Sequence, residues 1–142
     1  MNIFSIEKAF KEKRERNWDK LYWLIDLHGV VIEPKYNLYN KDAKIYPHCR
    51  RFFKWANNRR GDMVTILWTS SYPKAIKDIQ EKLYKSGIIF DYCNENPEVR
   101  SDSLCDFSKK PYFNILLDDK SSFCGPTDWK LVIGELQRIN EW

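Results

Sequence analysis

Three short polar segments in this sequence lie at the ends of apolar runs. They are Asp26, Thr69-Ser70 and Asp118-Asp119. A short apolar run bounded by turn residues is typical of a strand buried on both faces of a parallel sheet. The carboxyl ends of parallel strands share one edge of the sheet, where ligands bind in open α/β folds. The sequence therefore predicts that these polar side chains lie together.

Carboxylates gathered at one edge of a sheet predict a cation between them, because like charges repel unless an ion of opposite charge separates them. Oxygen ligands favour a hard ion such as Mg²⁺, which is held by one or two carboxylates and several waters. Asp26 can hold such an ion through one oxygen and attack a phosphoryl group with the other. The predicted magnesium site therefore comprises Asp26, Asp118 and Asp119.

Phosphoryl transfer also needs groups that bind phosphate oxygens and neutralise their charge. Thr69 offers a hydroxyl group and nearby backbone N–H groups, and the helix that begins at Pro73 adds its positive end. Ser70 and Ser71 either assist there or serve as the N-cap of that helix. Lys109 and Lys110, just before the last apolar run, are the candidate cations.

The elements that position these groups alternate between strands and helices. The predicted strands are residues 21–26, 63–68, 88–90 and 115–117. Four helices are predicted. The first covers residues 4–18, the second begins at Pro47, the third begins at Pro73, and the fourth is an amphipathic helix over residues 129–139. Such alternation implies right-handed crossovers and an α/β fold in which helices cover both faces of a parallel sheet.

Length and composition are those of one globular domain. The chain has 142 residues, of which 43% are hydrophobic and 31% charged, so we expect a single domain over residues 1–142 with the helix of residues 1–20 packed outside the core. No apolar run approaches the roughly 20 residues of a membrane span, and no signal-peptide pattern is present. We therefore expect a cytoplasmic protein that makes no membrane contact.

Four segments, in chain order, resemble the four motifs of the haloacid dehalogenase (HAD) superfamily. They are Asp26-Leu27-His28-Gly29-Val30, Ile66-Leu67-Trp68-Thr69-Ser70, the Lys109/Lys110 pair and Leu116-Leu117-Asp118-Asp119. The resemblance spans residues 21–119 and implies a three-layer Rossmann-like fold and a Mg²⁺-dependent aspartyl-phosphate mechanism, most often that of a phosphatase.

The resemblance also implies a role for each matched residue. Asp26 is the nucleophile and a magnesium ligand, and Asp118 is the acidic magnesium ligand with Asp119 in support. Thr69 binds phosphate. The motif lysine is Lys109 or Lys110, of which Lys109 is preferred.

His28 departs from the family pattern, because the phosphatases usually carry there a second Asp that acts as general acid and base. The magnesium contact implied at this position is the backbone carbonyl, which any residue supplies. An imidazole with an ordinary pKa near ~6.5 can also protonate a leaving alkoxide. The alternative is that His28 only fills the turn. The chain is then a catalytically weak or inactive protein that binds phosphate or a partner.

The segments 30–46 and 91–110 are too short for a folded cap domain, so the predicted site is open. An open site admits a small or a macromolecular phosphorylated substrate, such as a nucleotide, a nucleic-acid end or a phosphoprotein. A third function, nucleic-acid binding through the basic N-terminal helix, is disfavoured because Glu7, Glu12 and Glu15 interrupt its positive charge.

Overall fold

The structure is a computed structural model that describes residues 3–34 and 43–142. Within these ranges the strands are β1 (Leu21–Asp26), β2 (Met63–Trp68), β3 (Tyr92–Cys93) and β4 (Ile115–Leu117). The α-helices are α1 (Ile6–Glu15), α2 (Cys49–Asn58), α3 (Pro73–Lys85) and α4 (Gly125–Arg138). Two 3₁₀ turns cover Ile3–Ser5 and Asp119–Ser121. No helix in the described ranges has the length and apolar character needed to cross a bilayer.

The four strands form one parallel sheet in the order β3-β2-β1-β4. β1 therefore lies between β2 and β4, and it pairs with β2 along its whole length, from Leu21 opposite Met63 to Asp26 opposite Trp68. The predicted α/β fold, an all-parallel sheet flanked by helices and compatible with a Rossmann-like arrangement, is confirmed. The four described helices place their core side chains in one apolar cluster, so the expected helical cover of the second face is not seen among the described residues. The described chain contains no large cap.

The two faces of the sheet are covered differently. The larger apolar cluster takes side chains from all four helices and includes the fully buried Trp23, Phe52 and Trp129. The smaller cluster joins Leu24, Val64 and Ile66 to partly buried strand and loop residues, among them Phe113. Alternation along each strand explains the division, since successive side chains point to opposite faces.

The N-terminal helix contributes more to the core than the sequence suggests. We expected this segment to pack outside the core, but Ile6, Ala9 and Phe10 of α1 belong to the larger cluster. The helix also contacts α4, where Arg138 donates a hydrogen bond of 2.6 Å to Glu7. The apolar stripe of α1 is narrow, but its residues Ile6, Ala9 and Phe10 are all buried, while the charged residues lie on the opposite face.

The third strand is displaced from its predicted position. Residues 88–90 were predicted as a strand, whereas the structure forms β3 at Tyr92–Cys93. Ile88 is instead tied to the end of α3 by a hydrogen bond from its N–H to the carbonyl of Leu83. Pairing with β2 starts only where the N–H of Asp91 reaches the carbonyl of Thr65 at 2.9 Å. Within this run, Ile88 is buried in the larger apolar cluster and Phe90 packs against that cluster.

Candidate functional site

Pairing between β1 and β4 places two carboxylates side by side at the carboxyl edge of the sheet. Ile25 lies opposite Leu117, so Asp26, the last residue of β1, lies beside Asp118, which directly follows β4. Asp119 begins the 3₁₀ turn that follows. Asp26, Asp118 and Asp119 each offer a carboxylate oxygen, and these oxygens all lie within 4.8 Å of one another.

The carboxyl group of Asp26 is electrostatically strained at this position. Burial, together with the nearby charge of Asp118 and a hydrogen bond with Asp119, raises the pKa of Asp26 to about 7. The backbone N–H of Leu27 acts in the opposite direction. A raised pKa means that the folded protein disfavours the negative charge of Asp26. The three-carboxylate set therefore fits a divalent cation, whose charge relieves that cost.

The turn after β1 is closely fitted to the acidic group. Gly29 has a φ of +82°, a conformation that favours glycine, and a Cβ at this position would lie 2.8 Å from Oδ2 of Asp119. The carbonyl of Gly29 accepts a hydrogen bond of 3.2 Å from the N–H of Gly125, at the start of α4. The absence of a side chain at Gly29 thus allows this turn to pack closely against Asp119 and the start of α4.

Asp118 is fixed by the turn that it begins. Its Oδ1 accepts a hydrogen bond of 2.9 Å from the N–H of Lys120. Its backbone carbonyl accepts from the N–H groups of Ser121 and Phe123. These bonds hold the backbone of the turn, so the carboxylate reaches the site from a defined position.

A cleft of about 460 Å³ opens beside the acidic group. The residues lining it are Asp26, Trp68, Thr69, Ser70, Asn94, Lys109, Asp118 and Lys120. Oδ1 of Asn94 accepts a hydrogen bond of 2.8 Å from the N–H of Thr69. The hydroxyl of Thr69 donates to Oγ of Ser71 at 3.0 Å and accepts from the N–H of Ser71. The loop after β2 is therefore held in place by the residue that follows β3.

The two candidate lysines have different surroundings. Lys109 lines the cleft, whereas the ammonium of Lys110 lies 5.7 Å from the ring centroid of Phe113, a cation–π distance. Lys120 also lines the cleft, and sequence reasoning did not select it. Its position directly after the two acidic residues was the available signal. Asn94, which directly follows β3, lines the cleft as well, and sequence reasoning did not select it either.

The backbone of His28 pairs with Ile32 in an isolated bridge. The turn closes through a hydrogen bond of 2.8 Å from the N–H of Gly29 to the carbonyl of Ile32. Among the described residues, the group of mutually close ligand atoms consists of the three aspartates and does not include the imidazole of His28. His28 thus follows Asp26 in the turn without adding a side-chain ligand to that group.

Comparison with solved structures identifies a similar fold in a conserved protein from Bacteroides thetaiotaomicron. The two structures superpose with a TM-score of 0.60 at 18% sequence identity, over 87% of this chain and 94% of the other. At that identity the likeness extends to the fold alone. No family model matches the sequence, and no curated protein matches it.

Proposed function

We propose that this protein is a Mg²⁺-dependent phosphohydrolase of the HAD type that forms an aspartyl-phosphate intermediate on Asp26. The observation that carries the proposal is the cluster of three carboxylates at the carboxyl edge of the sheet, with oxygens within 4.8 Å. The order of Asp26, Thr69, Lys109 and Asp118 along the chain, and their common position around one cleft, give further support.

The acidic cluster fits a magnesium ion because its ligands are all oxygens and because the charge on Asp26 is disfavoured without a cation. Asp26, Asp118 and Asp119 would hold the ion, with the backbone carbonyl of His28 as a further candidate ligand. Bound Mg²⁺ supplies charge neutralisation for the phosphoryl group and for the carboxylates.

The residues of the chain account for the remaining steps. Thr69, Ser70 and Lys109 bind the phosphate oxygens, and Lys110 acts on the substrate from farther out. A carboxylate oxygen of Asp26 attacks phosphorus, the bond from phosphorus to the ester oxygen breaks, and His28 gives that oxygen a proton. Water then attacks the phosphorus of the acyl-phosphate while His28 takes a proton from that water. The bond from phosphorus to the Asp26 oxygen breaks, inorganic phosphate leaves, and the carboxylate of Asp26 and the protonated imidazole of His28 are restored.

The test is release of phosphate from p-nitrophenyl phosphate in the presence of Mg²⁺. We expect turnover by the parent protein, loss of turnover to the background rate in Asp26→Asn, and retention in Asp78→Asn. Asp78 is a matched control because it lies on α3, outside the cleft. Absence of turnover across a broad panel of phosphate esters, in protein that is folded and binds Mg²⁺, would contradict the proposal.

A second candidate function is binding of a phosphorylated ligand without turnover. The observation that favours it is His28, which stands where the family's phosphatases carry the general acid. Under this alternative, phosphate binds, His28→Ala has little effect and His28→Asp gains activity. Under the hydrolase proposal, His28→Ala slows turnover by about 10²–10⁴-fold, the range typical of a lost general acid.

The open cleft bears on the class of substrate. The described chain has no large cap over the acidic group, and polar and cationic side chains line the cleft. We propose a phosphate monoester, small or macromolecular, such as a nucleotide, a nucleic-acid end or a phosphoprotein.

A further inference from the structure

The outer face of α2 carries a group of exposed cations. Residues 43–61 contain six lysines and arginines and no aspartate or glutamate. The apolar face of α2 is buried in the core through Phe52, Phe53 and Ala56. Arg50, Arg51 and Lys54 are exposed on the opposite side. We call these three residues the α2 basic face.

Several basic residues elsewhere in the described chain form ion pairs, whereas the three residues of the α2 basic face do not. On α1, Lys11, Lys13 and Arg14 each pair with a carboxylate. Near the end of α2, Arg59 pairs with Asp62 and Glu141, and Arg60 pairs with Asp91. Within residues 3–34 and 43–142, no salt bridge joins any residue of the α2 basic face to an acid.

The position of these charges on the helix is unfavourable for the folded chain alone. Arg50 and Arg51 lie in the first turn of α2, which has no acidic residue. The N-terminal end of a helix carries partial positive charge, so cations there are destabilising. Among the described residues, Arg51 lies 3.1 Å from Nδ1 of His48 and 5.8 Å from the centroid of the Trp142 ring. An external polyanion would offset this repulsion.

The chemistry of the face favours a nucleic acid over an anionic membrane. A helix that lies on a membrane presents apolar side chains beside its basic ones, whereas the apolar side of α2 is already used in the core. Arginine suits phosphate because its planar guanidinium donates two parallel hydrogen bonds. In addition, Arg51 lies against Trp142, which stacks on Trp55, and stacked aromatic and cationic groups are typical of single-strand binding sites.

We propose that the α2 basic face binds the phosphate backbone of a single-stranded nucleic acid. The parallel crossover from β1 to β2 places the start of α2 at the carboxyl edge of the sheet, the edge that holds the acidic cluster. A strand bound along α2 would therefore approach that edge. The proposal does not depend on turnover in the cleft.

The test measures fluorescence anisotropy of a labelled 20-nucleotide DNA strand that carries no terminal phosphate, in EDTA, over a range of salt concentrations. These conditions exclude metal-dependent turnover and a phosphomonoester in the cleft. Each phosphate contact contributes about 0.7 to the slope of log K against log salt for single strands. We expect the triple variant Arg50→Gln, Arg51→Gln, Lys54→Gln to bind more weakly and to lose about 2 from that slope.

A matched control removes three other exposed charges, through Lys77→Gln, Lys85→Gln and Lys130→Gln on α3 and α4. We expect this variant to bind like the parent. Circular dichroism confirms that both variants fold. The proposal is wrong if the parent does not bind the strand at low salt or if both triple variants weaken binding equally. It is also wrong if polyglutamate or phosphatidylserine vesicles bind the parent as tightly as the DNA does.

Discussion

The carboxyl group of Asp26 combines partial burial with two acidic neighbours, and its pKa of about 7 follows from both. In the unfolded chain the same group ionises at its ordinary, lower pKa. Between these two values the folded state holds a proton that the unfolded state has lost. Stability from this group is therefore present at low pH and is lost as the pH rises toward 7.

We predict that the metal-free protein loses stability between pH 5 and pH 7.5 relative to Asp26→Asn, whose side chain does not ionise. The expected difference is on the order of 1–2 kcal/mol, because solvent screening reduces the effect at a half-exposed group. Urea denaturation in EDTA at several pH values measures it. With saturating Mg²⁺ the parent should instead be more stable than Asp26→Asn, since only the parent offers the ion a charged carboxylate at this position. Parallel pH profiles of the two proteins in EDTA would show that the Asp26 charge is not strained.

The adjacent lysines Lys109 and Lys110 provide a second test at the level of single residues. Lys109 lines the cleft, whereas the ammonium of Lys110 lies over the ring of Phe113. We predict that Lys109→Ala lowers kcat/KM by about 10²–10³-fold, the effect of losing one group that stabilises developing charge. Lys110→Ala, as the matched variant, should have a much smaller effect. The reverse order would assign the motif lysine to Lys110.

At the scale of elements, the turn between β1 and α2 positions the acidic group. Gly29 and Gly87 both have left-handed backbone, with φ of +82° and +81°. A Cβ at Gly29 would meet the carboxylate of Asp119, whereas a Cβ at Gly87 would meet nothing within 4 Å. An alanine at either position would strain the backbone, but only an alanine at Gly29 would also displace Asp119.

We predict that Gly29→Ala and Gly87→Ala each lower the free energy of unfolding by roughly 1–2 kcal/mol, from left-handed strain. Only Gly29→Ala should also weaken Mg²⁺ binding, because the new methyl group pushes Asp119 away. Chemical denaturation and calorimetric titration with Mg²⁺ measure the two effects. Equal Mg²⁺ affinity in both variants would mean that Asp119 does not contribute to the site.

At the scale of the whole molecule, a buried tryptophan on α4 connects the last helix to the site. The indole N–H of Trp129 donates a hydrogen bond of 2.7 Å to the carbonyl of Val30, next to Gly29. Trp23 is equally buried, but its indole N–H donates to the sulfur of Met63 at 3.4 Å. Sulfur is a weak hydrogen-bond acceptor, so removing the indole N–H of Trp23 lowers the free energy of unfolding only slightly through this bond.

We predict that Trp129→Phe costs about 1–3 kcal/mol more in unfolding free energy than Trp23→Phe, because it leaves the carbonyl of Val30 buried without a donor. Trp129→Phe should also lower Mg²⁺ affinity, since the turn after β1 loses its attachment to α4. Thermal and urea denaturation of both variants, with and without Mg²⁺, measure this. Equal losses in the two variants would assign the effect to packing alone.

The strands β1, β2 and β4 and the helix α3 were predictable from the sequence because their signals are local. Each strand is a continuous apolar run, and α3 lies between Pro73 and Gly87. The parallel α/β arrangement followed from their alternation. The acidic residues Asp26, Asp118 and Asp119 could be assigned to one sheet edge for the same reason, although their roles stay predictions.

Tertiary structure decided what local sequence leaves open. β3 forms at Tyr92–Cys93 because pairing with β2 begins at Asp91, while Ile88 and Phe90 of the preceding apolar run pack in the larger cluster. The choice between Lys109 and Lys110 as a cleft residue depends on how the irregular segment before β4 crosses the sheet. That path is fixed by long-range hydrogen bonds such as Asn96 to the carbonyl of Tyr112. Local runs specify elements, but contacts between distant segments determine which side chains meet.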